Sequence, residues 1–262
     1  MTFFEALVMA VIQGVTEFLP VSSSGHLVLA GAFFDILSEN SFTLILVTHV
    51  ATGCAALVFY RRDIGGLLRG VPAGEKDSRR LLLLLAAATT VTAVLGLSFR
   101  PFFENLYRTP RTVAPGLFLT GALLMATSFL SPGGGRLEKV PLWKALLVGL
   151  VQTLAIVPGI SRSGATIAAG LFLGLRREEA VRFSFLLLIP ATAGAALVET
   201  SRISSLGGRL LLQSVAGFFT AALVGYASIL LVRKWTGSGR LWYFGLYCWV
   251  AAAVAVLSSR VG

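Results

Sequence analysis

The chain has 262 residues, 56% apolar and only 13% charged. Soluble domains carry about 25% charged residues, so the composition excludes an ordinary water-soluble enzyme and points to an integral membrane protein with several spans. The net charge of +10 does not imply nucleic acid, because the basic residues fall in short loops between apolar segments, where the positive-inside rule accounts for them.

In chain order, Phe3–Leu19 is apolar but carries Glu5, Gln13 and Glu17, and it is short of the about 20 residues a spanning helix needs. No cleavable signal peptide is expected, since the first forty residues contain no Lys or Arg. Pro20 cannot continue a helix comfortably, and Ser22, Ser23, Ser24 and Gly25 are placed to precede a second, shorter helix over Gly25–Phe34. The two read as a re-entrant hairpin. Phe42–Tyr60, Leu81–Phe99 and Val113–Leu130 follow as spans, with Arg61–Arg80 a basic linker. Ser131–Pro141 divides the chain. The plan then repeats: a hairpin over Trp143–Val157 and Ser163–Leu175, then spans over Phe183–Val198, Leu210–Val232 and Leu241–Leu257.

Gln13–Gly31 and Gln152–Gly170 lie 139 residues apart, and Ala51–Val58 matches Ala191–Val198 at an offset of 140. The expected fold is therefore one all-α membrane domain over residues 1–262. It comprises two repeats, about 1–131 and 141–262, each a re-entrant hairpin plus three transmembrane helices. Three crossings per half invert the second repeat, so the hairpins enter from opposite faces and meet near the midplane, an arrangement that usually builds a binding site. Fifteen loop Lys and Arg residues fall on the side of Arg61 and six on the side of Arg100. The first side is then cytoplasmic, with both termini and the mouth of the first hairpin outside.

A carboxylate within hydrocarbon needs a partner or a task. For Glu17 the plain alternative is a structural ion pair with Arg162, the one arginine in either hairpin; Arg162 could otherwise clamp an anion, since guanidinium matches phosphate oxygens. Ser22, Ser23, Ser24 and Gly25 in one loop, and Ser161, Ser163 and Gly164 in the other, are either ordinary caps or helix N-termini that bind anions. His26 is placed to exchange protons within reach of the serine loop, whereas His49 reads as core or as support for the site. Cys54 and Cys248 are isolated in apolar runs and read as small buried hydrophobes.

The stretches E-F-L-P-V-S-S-S-G-H at Glu17–His26 and P-G-I-S-R-S-G-A-T at Pro158–Thr166 resemble the two signature stretches of undecaprenyl-diphosphate phosphatase, the bacitracin-resistance family. The similarity extends to H-V-A-T-G from His49 and to the Y-R-R-D loop. It implies a bacterial inner-membrane hydrolase that converts undecaprenyl diphosphate to the monophosphate and recycles the cell-wall lipid carrier, with a divalent cation, Mg2+ or Ca2+, as cofactor. By the same resemblance Glu17, Ser23, His26 and Arg162 are catalytic. Glu17 is also the metal ligand, and Gln13, Ser22, Ser24, Gly25, Ser161, Ser163, Gly164 and Thr166 bind substrate. Where many members have a first glutamate this chain has Gln13, which leaves Glu17 as the main candidate for the metal. Ser23 is the preferred nucleophile, with His26 or Glu17 taking its proton; direct attack by an activated water stays open. The expected partners are the lipid diphosphate and the bilayer, with a homodimer possible. The rival reading is an inverted-repeat transporter or flippase of an isoprenoid lipid phosphate. A phosphohistidine lipid phosphatase is excluded, since its second histidine would fall at Ala168.

Overall fold

A computed structural model describes residues 1–34, 39–107, 110–131, 133–198 and 208–258. Among these the regular structure is helical, apart from one bridge pairing Gly135 with Leu175. Twelve α-helices are defined: α1 Phe3–Phe18, α2 Ser23–Phe33, α3 Glu39–Phe59, α4 Arg61–Gly70, α5 Lys76–Ser98, α6 Arg100–Tyr107, α7 Val113–Ala126, α8 Leu142–Leu154, α9 Arg162–Phe172, α10 Arg177–Val198, α11 Gly208–Gly237 and α12 Trp242–Ser258. Large apolar side chains such as Phe4, Phe33, Leu223 and Val250 stand exposed on the outside of the bundle. Water would penalise so much apolar surface, and lipid does not.

Three helices, α5, α10 and α11, are long and apolar enough to cross a membrane. The other expected spans differ in detail. Helix α3 meets α4 at a 69° bend, while α7 and α12 are shorter apolar helices that pack chiefly on each other. The Arg61–Arg80 segment is not simply a linker. Its first half is α4, because Ile64 and Leu67 recur at helical spacing and pack against the core, and its second half already begins α5. Arg182 ties this region together, bonding Asp63 of α4 at 2.7 Å, Glu138 of the central loop at 2.8 Å and Glu179 at 3.3 Å.

Helix α1 starts on a capping box: Thr2 Oγ1 accepts from Glu5 N–H, and the Glu5 carboxylate accepts from Thr2 N–H. This explains Glu5 as a cap rather than a site residue. The helix packs chiefly on α11, in the other half of the chain, and α8 correspondingly packs on α5. Gly14 permits the first contact: a Cβ there would stand 2.9 Å from both Ala221 O and Val224 Cβ. Beneath the hairpins lies an aromatic core in which Phe18 meets Phe185 edge-on at 5.2 Å and Tyr60 meets the same ring at 6.4 Å.

Candidate active site

The site begins where α1 stops. Pro20 offers no N–H, and Leu19 turns to extended backbone with φ −60° and ψ 138°. Two residues later Ser22 has φ 71°, the one non-glycine residue at positive φ among those described. Such a conformation costs about 1–3 kcal/mol and persists only where surrounding bonds hold it. Here Ser22 caps α2: its Oγ accepts from Gly25 N–H at 3.2 Å, and its carbonyl accepts from the His26 backbone N–H at 3.2 Å and from His26 Nδ1–H at 2.7 Å.

The second hairpin repeats this construction. Ser161 caps α9 and accepts from Gly164 N–H at 3.1 Å; Ser161 and Ser163 hydroxyls are 3.3 Å apart, as are those of Ser22 and Ser24. The loops bond to each other, with Ser22 Oγ donating to Ile160 O at 3.4 Å and Ser163 Oγ to Leu19 O at 3.1 Å. Gly159, at φ 91°, lies so close to α7 that a Cβ would strike Val113 O. Ser23 and Ser24, and Arg162 and Ser163, thus occupy the first turns of α2 and α9 instead of preceding them. Among the described residues the backbone N–H groups of these four have no acceptor. Two helix N-termini, each with free donors, therefore adjoin one another.

Glu17 is buried between them, with 5% of its side chain exposed. One oxygen, Oε1, accepts from Arg162 Nη2 at 2.9 Å. The other, Oε2, accepts from Ser23 Oγ at 2.6 Å and Gln13 Nε2 at 3.0 Å, and lies 3.6 Å from His49 Nε2. Arg162 is steadied by Ser184, whose carbonyl accepts from Nη1 at 3.1 Å and whose hydroxyl meets Thr166 Oγ1 at 2.7 Å. Gln13, Glu17, Ser23 and Arg162 are thus brought together. Ser22, Ser24, Gly25, Ser161, Ser163 and Gly164 form the joined loops around them, and Thr166 stands one turn behind Arg162.

His26 departs from expectation. Its Nδ1–H is spent on the Ser22 carbonyl, and its Nε2 accepts from Tyr247 Oη at 2.7 Å, across rings stacked at 5.6 Å and 8°. It faces α12 and makes no bond to Ser23 or Glu17. His49, by contrast, stands directly behind the carboxylate, oriented by Nδ1–H donating to Ile45 O at 2.9 Å. Ser184 and Tyr247 were not legible as neighbours of the site. An α10 serine and a tyrosine in an apolar helix carry no local signal, and each acts at a sequence distance of 22 or 221 residues.

A divalent cation fits this donor set only in part. Gln13 Oε1 is buried without a hydrogen-bond partner, and with Glu17 it offers hard oxygen ligands of the kind Mg2+ and Ca2+ take. No group of three His, Cys, Asp or Glu gathers among the described residues. The arrangement suits a cation that completes its shell with phosphate oxygens and water, as Mg2+ usually does.

The fold and site define a class: a multi-pass helical membrane protein whose polar centre is buried between two serine-capped helix N-termini. Comparison with known proteins narrows it. The model of the family described as bacitracin resistance protein BacA matches residues 6–254, and the chain belongs to that family. Curated relatives named undecaprenyl-diphosphatase include one from Desulfosudis oleivorans, 40% identical over 96% of this chain and 97% of the relative. One from Carboxydothermus hydrogenoformans is 38% identical over 100% and 99%, and one from Methanococcus maripaludis strain C6 is 34% identical over 95% and 97%.

Proposed function

We propose that the chain is a membrane undecaprenyl-diphosphatase, which hydrolyses the lipid diphosphate to undecaprenyl phosphate and inorganic phosphate and so recycles the cell-wall lipid carrier. The observation that carries the reading is the contact of Ser23 Oγ with Glu17 Oε2 at 2.6 Å beside the Arg162 guanidinium. Phosphoryl transfer asks a protein chiefly for positioning and charge neutralisation. Arg162 and the free N–H groups of α2 and α9 face the diphosphate oxygens. Ser23 attacks the terminal phosphorus while Glu17 Oε2 takes the hydroxyl proton. Glu17 passes that proton to the undecaprenyl phosphate as it departs, and the carboxylate so restored takes a proton from water, which attacks the phosphoserine; the proton then returns to Ser23 Oγ as phosphate leaves. His26 holds the loop. A divalent cation at Gln13 and Glu17 would supply further charge neutralisation on the phosphate oxygens. The apolar groove of about 270 Å³ between α3 and α11, lined by Val47, Val50, Val215 and Phe218, has room for a short stretch of an isoprenoid chain.

The two halves read as inverted repeats. In support, α1 and α8 begin 139 residues apart, at Phe3 and Leu142, as do α2 and α9, at Ser23 and Arg162. The bonds within the two loops correspond at the same offset: Ser22 with Gly25 and Ser24 in one, Ser161 with Gly164 and Ser163 in the other. Loop charge puts the Arg61 side in the cytoplasm, so both termini and the first hairpin face outward from the inner membrane. A transporter would share this architecture, but the relatives' name, undecaprenyl-diphosphatase, favours the hydrolase. The test is phosphate release from undecaprenyl diphosphate by purified protein, with and without chelator. A folded, cation-supplied protein that releases none refutes the reading.

A further inference from the structure

The last helix, α12, grips the serine loop at two points from adjacent residues. Cys248 Sγ donates to Pro20 O at 3.7 Å, and Tyr247 Oη donates to His26 Nε2 at 2.7 Å. The second contact continues into the backbone. With Nε2 accepting, the neutral imidazole carries its proton on Nδ1, which donates to the Ser22 carbonyl at 2.7 Å. Ser22 is the residue at positive φ, and Ser23, which meets Glu17, follows it directly. An unbroken chain of bonds therefore runs from Tyr247 through His26 to the strained residue that aims Ser23.

We propose that Tyr247 is a positioning residue of the phosphatase reaction, and that it acts through His26. Its hydroxyl fixes the Nδ1–H tautomer, and that tautomer holds Ser22 in the left-handed conformation that sets Ser23 against Glu17. His26 accordingly serves as a strut and not as the acceptor of the Ser23 proton. Tyr247 is half exposed at the edge of the bundle, and stacking on the imidazole orients the phenol ring. This inference rests on the phosphatase reading above, but its first readout does not.

The chain has only two histidines, so a sample with 15N-labelled imidazole rings gives two sets of signals, and His49→Gln assigns them. In the wild type at pH 8, His26 is expected as the Nδ1–H tautomer with a hydrogen-bonded Nε2. In Tyr247→Phe the Nε2 signal should lose its hydrogen-bond shift and the other tautomer should appear. Turnover of undecaprenyl diphosphate should fall about tenfold, the size of one hydrogen bond, with KM changed less than twofold. An Nε2–H tautomer in the wild type overturns the proposal, as does a Tyr247→Phe protein with wild-type turnover. Should Tyr247→Phe fail to fold, the wild-type tautomer decides alone. If the wild type releases no phosphate, the phosphatase reading fails while the spectrum still judges the Tyr247–His26 link.

Discussion

Replacing Arg162 by Lys separates the two meanings of the buried ion pair. In the structure Arg162 divides its fork between Glu17 Oε1 at 2.9 Å and Ser184 O at 3.1 Å, with 15% of the side chain exposed. A lysine retains the charge, so Glu17 keeps a counter-ion and the cost of a stranded buried carboxylate, about 3–5 kcal/mol, is avoided. What it loses is the planar fork, and with it at least one charge-assisted hydrogen bond, worth about 1.5–3 kcal/mol. If that bond serves the transferring phosphoryl group, kcat/KM falls about 10- to 150-fold while thermal unfolding stays within a few degrees of wild type. The assay is phosphate release by the detergent-purified variant, with unfolding followed by intrinsic tryptophan fluorescence on the same preparation. Wild-type turnover in Arg162→Lys would refute the reasoning and reduce the pair to a structural one, and so would an activity loss that only tracks unfolding.

Three further outcomes follow from the same geometry. Gln13→Glu places a second carboxylate where Nε2 now donates to Glu17; activity should survive with divalent cation present and become more sensitive to chelator, and a folded variant inactive at every cation concentration would contradict this. Single cysteines in a background lacking Cys54 and Cys248 test orientation. Ser22 is 3% exposed and is a poor reporter, so exposed Arg111 and Arg69 serve instead; an impermeant thiol reagent should label the first only from outside and the second only from the cytoplasm. Burial alone would raise the Glu138 carboxyl, but the Arg182 hydrogen bond holds it below its ordinary value of 4.5. Its contribution to stability is therefore full above that value and fades as pH falls below it, and Glu138→Gln should flatten the acid limb of the melting-temperature profile.

The hairpins and their polar centre were legible because their signals are local. Pro20 ends one helix, Ser22 and Ser161 cap the next, and a glutamate and an arginine in apolar surroundings have few possible partners. The start of α2 was misplaced by two residues because serine both caps a helix and sits in its first turn. Helix α4 was hidden because basic residues outweigh its small apolar face. His26 was aimed wrongly for a different reason. Sequence places an imidazole near a loop but does not say which nitrogen faces which neighbour; Tyr247, 221 residues away, decides that.

The seating of α1 against α11 bears on how the molecule is made. When the ribosome has synthesised the first hairpin, its seat does not yet exist. About 220 further residues separate Phe18 from the end of α11 at Gly237, which at about 5–20 residues per second is a delay of tens of seconds at the slower rates. For the first part of that interval, until α9 is made, Glu17 also lacks Arg162, and hydrocarbon is a costly place for an unpaired carboxylate. On the proposed re-entrant arrangement, the nascent hairpin waits at the headgroups or in the translocon and moves inward only once the second half arrives. A chain truncated before α11 should therefore leave its amino-terminal segment on the membrane surface, open to protease.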